Sequence, residues 1–146
     1  MNQGMLKAGF CRDCITPPVG TWLSGYADRP GPSIGIHDNL HVNVLYLSDG
    51  TVEYVIAVLD LLAVDRKFTF KIKNNVARET GLKEEQVVVA ATHTHSGPDL
   101  HGVFCPPSNS AYREVVAEKV VGAIRAAMES SAEARLQAVS YTHLTL

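Results

Sequence analysis

The sequence of residues 87–98 is Val87-Val88-Val89-Ala90-Ala91-Thr92-His93-Thr94-His95-Ser96-Gly97-Pro98. Its β-branched first half predicts a short strand, and the closing glycine and proline predict that the chain then turns into a loop. Because residues i and i+2 of an extended chain point to the same side, His93 and His95 should place two imidazoles in one space. Imidazole is the commonest protein ligand for transition metals and a frequent general base near neutral pH. The end of this strand is therefore predicted to be a metal-assisted hydrolytic site.

The patterns on either side of this strand predict an α/β fold with a mixed β-sheet flanked by helices. Asp49-Gly50 between two apolar runs indicates a hairpin, and the strand–helix–strand unit over Val52–Ala91 should be a right-handed parallel crossover. The segment Val52–Leu59 is almost entirely apolar, which predicts burial on both faces. The predicted elements, in chain order, are the strands Leu6–Cys11, Leu40–Ser48 and Val52–Leu59, the helix Asp65–Thr80, the strand Val87–Ala91, the helix Ala111–Ser130 and a last strand Arg135–Val139; Thr16–Asn39 is predicted to be a long loop packed onto the domain.

Further site residues are expected near the same strand end, because ligands of such sheets bind beyond the carboxyl ends of parallel strands. Asp60 follows one of these strands and is predicted to be either a helix cap or a site residue, sharing an edge of the sheet with His93 if the two strands are parallel. Zinc is held by neutral imidazoles and carboxylates, so the candidates for further ligands are Asp60, Asp99, His101 and the pair His37-Asp38. A catalytic zinc lowers the pKa of water to roughly 7 and polarises a carbonyl, which suits amide or ester hydrolysis.

Two alternatives to a metal site stay open. The histidines could merely bond to the backbone near a turn, although two of them at this spacing favour a functional site. A metal-free site would use His95 as base and Ser96 as nucleophile, but adjacent residues of an extended chain point apart. A site of the metallo-β-lactamase type does not fit, because Ser96-Gly97-Pro98 stands where that pattern continues with aspartate and histidine.

The composition limits the classes of function. The chain has 146 residues, 46% hydrophobic and 19% charged, with a net charge of −2, which is ordinary for one soluble globular domain. No strong positive charge indicates nucleic acid or an anionic membrane as a partner, and no apolar run is long enough for a transmembrane segment. The N-terminus lacks the layout of a signal peptide, so we expect a cytoplasmic location by default, or a secreted one if the N-terminus has been trimmed.

Three cysteines, Cys11, Cys14 and Cys105, are too few for a disulfide framework. The spacing of Cys11 and Cys14 also occurs in redox pairs and in half zinc sites. A redox pair prefers the start of a helix, which Pro17 and Pro18 disfavour here, and the second cysteine pair of a zinc site is missing. We therefore expect two semi-buried thiols.

The motif Thr92–Pro98 resembles the Thr-His-Thr-His-Ser-Gly-Pro signature of the neutral/alkaline non-lysosomal ceramidase family. Other segments are similar to that family in order and spacing, over roughly residues 8–130. They are Asp13–Gly20, which resembles its Asp-Ile-Thr-Pro-Pro motif with Cys14 inserted, Gly25–Arg29, which resembles its Gly-Tyr turn, Gly35–Leu40, which resembles the entry to its next strand, and Val58–Asp60, which resembles its strand ending in aspartate.

This resemblance implies a zinc-dependent hydrolase of a linear amide bond, which splits N-acylsphingosine into a sphingoid base and a fatty acid and so acts in sphingolipid metabolism. It implies Zn²⁺ as cofactor, a lipid-like amide as small-molecule substrate, His93 as the first zinc ligand, and His95 as a catalytic neighbour that assists the water or the developing oxyanion. The family's remaining ligands, a histidine, a glutamate and a tyrosine, lie much farther along its chain, and His143 does not match their spacing.

We therefore expect residues 1–139 to be the N-terminal part of a larger ceramidase-like catalytic domain that is inactive alone, and residues 140–146 to be an unmatched, foreign tail. Such a fragment would expose surfaces that its missing part should cover, and would tend to aggregate. The competing hypotheses are a non-catalytic binding domain that retains the fold, and a related hydrolase with a non-lipid substrate.

Overall fold

The computed structural model describes residues 5–100 and 110–140 and contains the mixed α/β sheet that the sequence predicts. The elements are the strands β1 (Lys7–Cys14), β2 (His41–Ser48) and β3 (Glu53–Leu59), the helix α1 (Arg66–Thr80), the 3₁₀ turn Glu84–Gln86, the strand β4 (Val87–Ala91), the helix α2 (Ser110–Glu129) and the strand β5 (Ala132–Glu133). The strand order is β4-β3-β2-β1-β5. β3 and β4 are parallel, as predicted for the crossover through α1, and the other neighbours are antiparallel.

The hairpin between β2 and β3 forms at the Asp49-Gly50 turn, as predicted. Gly50 has a φ of +86°, a conformation that side chains rarely adopt. The Asp49 carboxylate accepts hydrogen bonds from the Thr51 hydroxyl and from the backbone N–H groups of Thr51 and Val52, at 2.7 to 2.9 Å. These bonds stabilise the ionised form and lower the pKa of Asp49 to about 2.

The crossover helix α1 has a well-defined cap at each end. Asp65 precedes the helix, and its carboxylate accepts a hydrogen bond from Phe68 N at 2.7 Å, so the predicted first helical residue is in fact the N-cap. Gly81 ends the helix in the left-handed conformation with a φ of +79°. Phe68, Ile72 and Val76 are buried, as their helical spacing predicts. None of the described helices is apolar over a length that would cross a membrane.

Both helices pack on the same face of the sheet. The backbone of α2 approaches β1 so closely at Gly9 that a Cβ on this glycine would lie 1.7 Å from the carbonyl oxygen of Ala127. Phe68, Ile72 and Val76 of α1 and the apolar side of α2 form one core with alternate residues of the strands. The largest completely buried side chains of this core are Phe68, Ile15, Leu59, Leu61, Ile72, Ile124, Val42, Val44, Val55, Val76, Val87 and Val116.

The opposite face of the sheet is apolar and open to solvent. Phe10, Leu45, Ile56 and Val88 pair side by side in one row across four strands, and each is between 37% and 60% exposed. No helix or strand covers this row in the described part of the chain. The prediction that Val52–Leu59 is buried on both faces is therefore wrong. Alternate residues of β3 are buried and the others are partly or largely exposed, because both helices lie on one side.

The first and last strands differ from their predicted bounds. β1 continues to Cys14 instead of ending at Cys11, because its polar residues have partners: Arg12 lies 3.1 Å from His41 Nδ1, and Asp13 pairs with Lys119 at 3.1 Å. The last strand is the two-residue β5, and Arg135–Val139 is not a strand. The chain pairs with the beginning of β1 directly after α2 and runs antiparallel to it. Residues 135–139 therefore already lie beyond the N-terminal end of β1. The loop prediction for Thr16–Asn39 is confirmed.

The two described cysteines do not form a redox pair. Cys11 and Cys14 lie three residues apart on β1, so their side chains leave opposite faces of the strand. Cys11 is half-buried beside the core, as predicted, whereas Cys14 is exposed, so the prediction of a semi-buried thiol is wrong for Cys14. The Cys14 thiol lies 3.2 Å from the Thr16 hydroxyl, and hydrogen bonding to Thr16 lowers the pKa of Cys14.

Candidate metal centre

The candidate site lies where the parallel strands β3 and β4 end together. Leu59 pairs with Ala91, and the two segments then continue side by side, with Thr92 N donating to Leu59 O at 3.0 Å and Thr94 N donating to Leu61 O at 3.2 Å. The residues after both strands therefore occupy the same edge of the sheet, as predicted.

Asp60 connects three strand ends at this edge. Its carboxylate accepts hydrogen bonds from His41 N at 2.8 Å and from the Thr92 hydroxyl at 3.2 Å. The helix-cap alternative for Asp60 is wrong, because Asp65 caps α1. Asp60 thus holds Thr92, the residue directly before His93, through its hydroxyl, and so supports the site.

His93 has an unusual backbone conformation. With a φ of +64°, it is the single non-glycine residue with a positive φ in the described part of the chain. A left-handed conformation at a non-glycine residue costs about 1–3 kcal/mol and is found mainly at functional sites. The residue is exposed at the turn. The fold thus stabilises His93 in a conformation that its own backbone disfavours.

The imidazole of His93 is oriented by the backbone of the neighbouring loop. Its Nδ1 lies 2.9 Å from the carbonyl oxygen of Leu62, and because a carbonyl only accepts, Nδ1 carries the proton. In the neutral ring Nε2 is then left with its lone pair. Metal-binding histidines have this arrangement, with one ring nitrogen donating to a carbonyl and the other facing the metal.

The ring of His95 lies against the ring of His93. Their centroids are 5.2 Å apart with an interplanar angle of 69°, so the prediction that two imidazoles share one space is confirmed. The reason differs from the one that the sequence suggests. β4 ends at Ala91, and the left-handed turn at His93, not an extended chain, brings the two rings together.

The long loop before β2 forms one wall of the site. Residues 22–24 pair with residues 97–99: Leu23 and Pro98 form a β-bridge, Ser24 N donates to Gly97 O at 2.9 Å, and Asp99 N donates to Trp22 O at 3.2 Å. The following residues, Gly25–Arg29, contact His95 itself. The sequence did not predict this contact, because some 70 residues separate the two segments. The signal available in the sequence was the Gly-Tyr turn of the resembled family.

The remaining candidate ligands lie at different places. His37 and Asp38 are exposed and bonded to each other at 2.6 Å, and they line a cavity of about 460 Å³ that Thr94 and Ser96 also border. Asp99 is completely buried. His101 lies outside the described residues. Across residues 5–100 and 110–140, no three histidine, cysteine, aspartate or glutamate side chains are close enough together to hold a metal ion.

His93 nevertheless fits the role of one zinc ligand. Its Nε2, which carries no proton in this neutral tautomer, is the nitrogen donor that zinc prefers, and its Nδ1 has the carbonyl partner that such ligands need. A catalytic zinc needs three protein ligands and an open position, so the described residues supply only part of the set. The described residues thus bring together one oriented imidazole, that of His93, and the second imidazole of His95 beside it.

The fold and the site define an α/β domain that carries a pair of imidazoles at the carboxyl edge of a mixed sheet. Solved ceramidase structures share this fold. One is the crystal structure of neutral ceramidase from Pseudomonas aeruginosa, with a TM-score of 0.77, 19% sequence identity, and coverage of 88% of this chain and 22% of that chain. Another is a ceramidase complexed with C2, with a TM-score of 0.74 and the same identity and coverage. No protein-family model and no curated protein matches the sequence.

These comparisons confirm the expected fold. The chain has the fold of a part of neutral ceramidase and spans 22% of the length of the ceramidase chains that it matches.

Proposed function

We propose that this chain supplies part of the active site of a zinc-dependent, ceramidase-like hydrolase that cleaves the linear amide bond of an N-acylated sphingoid base. His93 is the first zinc ligand and His95 the catalytic neighbour. One observation carries the proposal: the imidazole of His93, in a left-handed backbone conformation, donates Nδ1–H to Leu62 O, so that in the neutral ring the lone pair is on Nε2. The shared ceramidase fold supports the reaction class.

The chain's own residues have separate roles in the proposed reaction. Leu62 O holds the His93 ring so that Nε2 can bind a metal without reorienting. His95 lies beside that ring, at 5.2 Å centroid to centroid, and its role in the proposal is to accept a proton from an attacking water or to donate a hydrogen bond to a developing oxyanion. When bound, zinc would polarise the amide carbonyl and make water more acidic.

The substrate class is inferred mainly from the fold that the chain shares with ceramidase structures. The cavity of about 460 Å³ beside Thr94 and Ser96 has polar and apolar lining residues, Leu23, Ser33, Ile36 and His37 among them. A site that binds an amide with an aliphatic chain needs this combination. Because the described residues bring only two imidazoles, those of His93 and His95, together at this edge of the sheet, we expect the 146-residue chain by itself to show no appreciable turnover.

A non-catalytic binding domain is the second candidate. The observation in its favour is that the described residues contain no complete set of metal ligands. This alternative predicts that zinc does not prefer His93 to any other exposed histidine, and that no longer form of the protein cleaves an amide.

Zinc affinity separates the two candidates. The affinity of the chain, its His93→Ala variant and its His37→Ala variant would be measured by competition with a chromophoric chelator. His37 is a matched control because it is an exposed histidine bonded to a neighbouring carboxylate. We expect His93→Ala to weaken binding at least tenfold, and His37→Ala to change it less than twofold. Equal effects of the two substitutions would favour the binding domain.

The reaction itself is tested on the protein at its full natural length. A fluorescent N-acyl sphingosine and a fluorescent N-acyl amino acid of equal acyl length would be offered to wild type and to His95→Ala. Cleavage of the sphingosine amide, lost in His95→Ala with zinc retained, supports the assignment. Cleavage of the N-acyl amino acid alone would replace the lipid substrate with a non-lipid one, and no cleavage of either would refute the hydrolase.

A further inference from the structure

We propose that the turn Gly25–Arg29 is a positioning clamp for His95, which fixes the imidazole in one orientation beside His93. The catalytic meaning of this clamp rests on the proposed function. The clamp concerns only the orientation of the His95 side chain, so it can be tested without metal or substrate.

The first contact of the clamp is made by the backbone of Gly25. This residue has a φ of +107°, and a Cβ on it would lie 2.6 Å from both Cβ and Cγ of His95. No other residue could occupy this position without displacing the histidine. The main chain of the turn therefore lies directly against the base of the His95 side chain.

The second contact is made by the ring of Tyr26. It lies edge-on to the His95 imidazole, with centroids 5.1 Å apart and an interplanar angle of 75°, which is a favourable aromatic geometry. The rings of Tyr26 and His93 thus both contact His95, at 5.1 and 5.2 Å. Tyr26 is 58% exposed, so its ring contributes little to the core.

The third contact is made by Arg29. Its guanidinium donates a hydrogen bond to the carbonyl oxygen of His95 at 2.9 Å and lies over the ring of Tyr26, 5.4 Å from the centroid. Arg29 Nε is buried without a hydrogen-bond partner in the described part of the chain. An unsatisfied buried donor destabilises the folded chain, and the contacts of the guanidinium with His95 and Tyr26 offset part of that cost.

Together the three contacts restrict different parts of one residue. Gly25 limits the space around Cβ, Tyr26 limits the rotation of the ring, and Arg29 fixes the carbonyl. A catalytic group is effective when its neighbours hold it in the productive geometry before the substrate arrives. The clamp would give His95 this preorganisation, whereas Leu62 O gives it to His93.

The test measures the side-chain rotamer of His95 by nuclear magnetic resonance in the metal-free chain. The three-bond coupling between the backbone nitrogen and Cγ reports whether χ1 has one value or is averaged. We expect a single rotamer in wild type and in Tyr26→Phe, which keeps the ring. In Tyr26→Leu the ratio of major to minor rotamer should fall about two- to tenfold, from the typical strength of one aromatic contact. In Arg29→Met, which removes the hydrogen bond to His95 O, the ratio should fall about fivefold, from the net strength of one hydrogen bond of about 1 kcal/mol.

The control is Tyr54→Leu, which removes an equally exposed tyrosine from the open face of the sheet and should leave the coupling of His95 unchanged. A wild-type coupling in both Tyr26→Leu and Arg29→Met would overturn the clamp. Because no zinc is present, this outcome is distinguishable from a failure of His93 to bind metal, which would refute the proposed function and leave the clamp intact.

Discussion

Replacing Asp60 by alanine should destabilise the chain and loosen the candidate site. The carboxylate accepts hydrogen bonds from His41 N at 2.8 Å and from the Thr92 hydroxyl at 3.2 Å. A hydrogen bond to a charged group contributes about 1.5–3 kcal/mol. Because the Asp60 side chain is 23% exposed, water replaces part of this contribution in the variant. We therefore expect a loss of about 2–4 kcal/mol in the free energy of unfolding.

The assay is urea unfolding followed by far-ultraviolet circular dichroism, together with thermal unfolding, where this loss corresponds to a fall of roughly 5–15 °C in Tm for a chain of this size. Asp60→Asn keeps an oxygen for His41 N and should lose only about 1 kcal/mol. Glu85→Ala, at an exposed position of the 3₁₀ turn, is the matched control and should change stability by less than about 0.5 kcal/mol. If Asp60→Ala is as stable as Glu85→Ala, the carboxylate does not hold the strand ends together.

Three further predictions concern other parts of the molecule. Hydrogen bonding to Thr16 lowers the pKa of Cys14, so Thr16→Val should slow the alkylation of Cys14 by iodoacetamide at pH 7.5 several-fold, and an unchanged rate would contradict this cause. Burial raises the pKa of Tyr112, whose hydroxyl donates to Ile15 O. The neutral Tyr112 side chain therefore makes its full contribution to the free energy of unfolding below the unfolded pKa of about 10, and this contribution is lost as the pH rises above that value. The urea midpoint should fall between pH 8 and pH 10.5 in wild type, and less so in Tyr112→Phe; equal falls would exclude Tyr112 as the cause. Ile56→Lys, in the exposed apolar row, should lower the binding of a hydrophobic dye and the light scattering of the chain without changing the free energy of unfolding by more than about 1 kcal/mol. Undiminished scattering would show that this face does not cause aggregation.

The sequence predicted those parts of the fold that depend on local signals. Asp49-Gly50 specified the hairpin, and Gly81 specified the end of α1. The strand–helix–strand order specified the parallel pair that brings Asp60 and Thr92 together. Each of these features is determined by residues close in sequence, or by a connection rule that holds for most sheets.

The sequence could not predict features that depend on distant partners. β3 is apolar at both its inward and its outward positions, so its pattern does not reveal that only one face is covered. The left-handed His93 contacts the loop after β3, some 30 residues away in sequence, and the contact of Gly25 with His95 crosses about 70 residues. Both features give the two imidazoles their geometry, and neither has a local signature in a Thr-His-Thr-His segment.

We propose that His93 binds zinc through Nε2. Long-range proton–nitrogen correlation spectra of the histidine rings, recorded during a zinc titration of the chain, measure this directly because they identify the protonated nitrogen of each ring. We expect His93 to have its proton on Nδ1 before zinc is added, in agreement with its bond to Leu62 O, and its Nε2 resonance to shift most on titration. A proton on Nε2 of His93, or zinc-induced shifts confined to His37 and His41, would contradict the assignment of His93 as a zinc ligand.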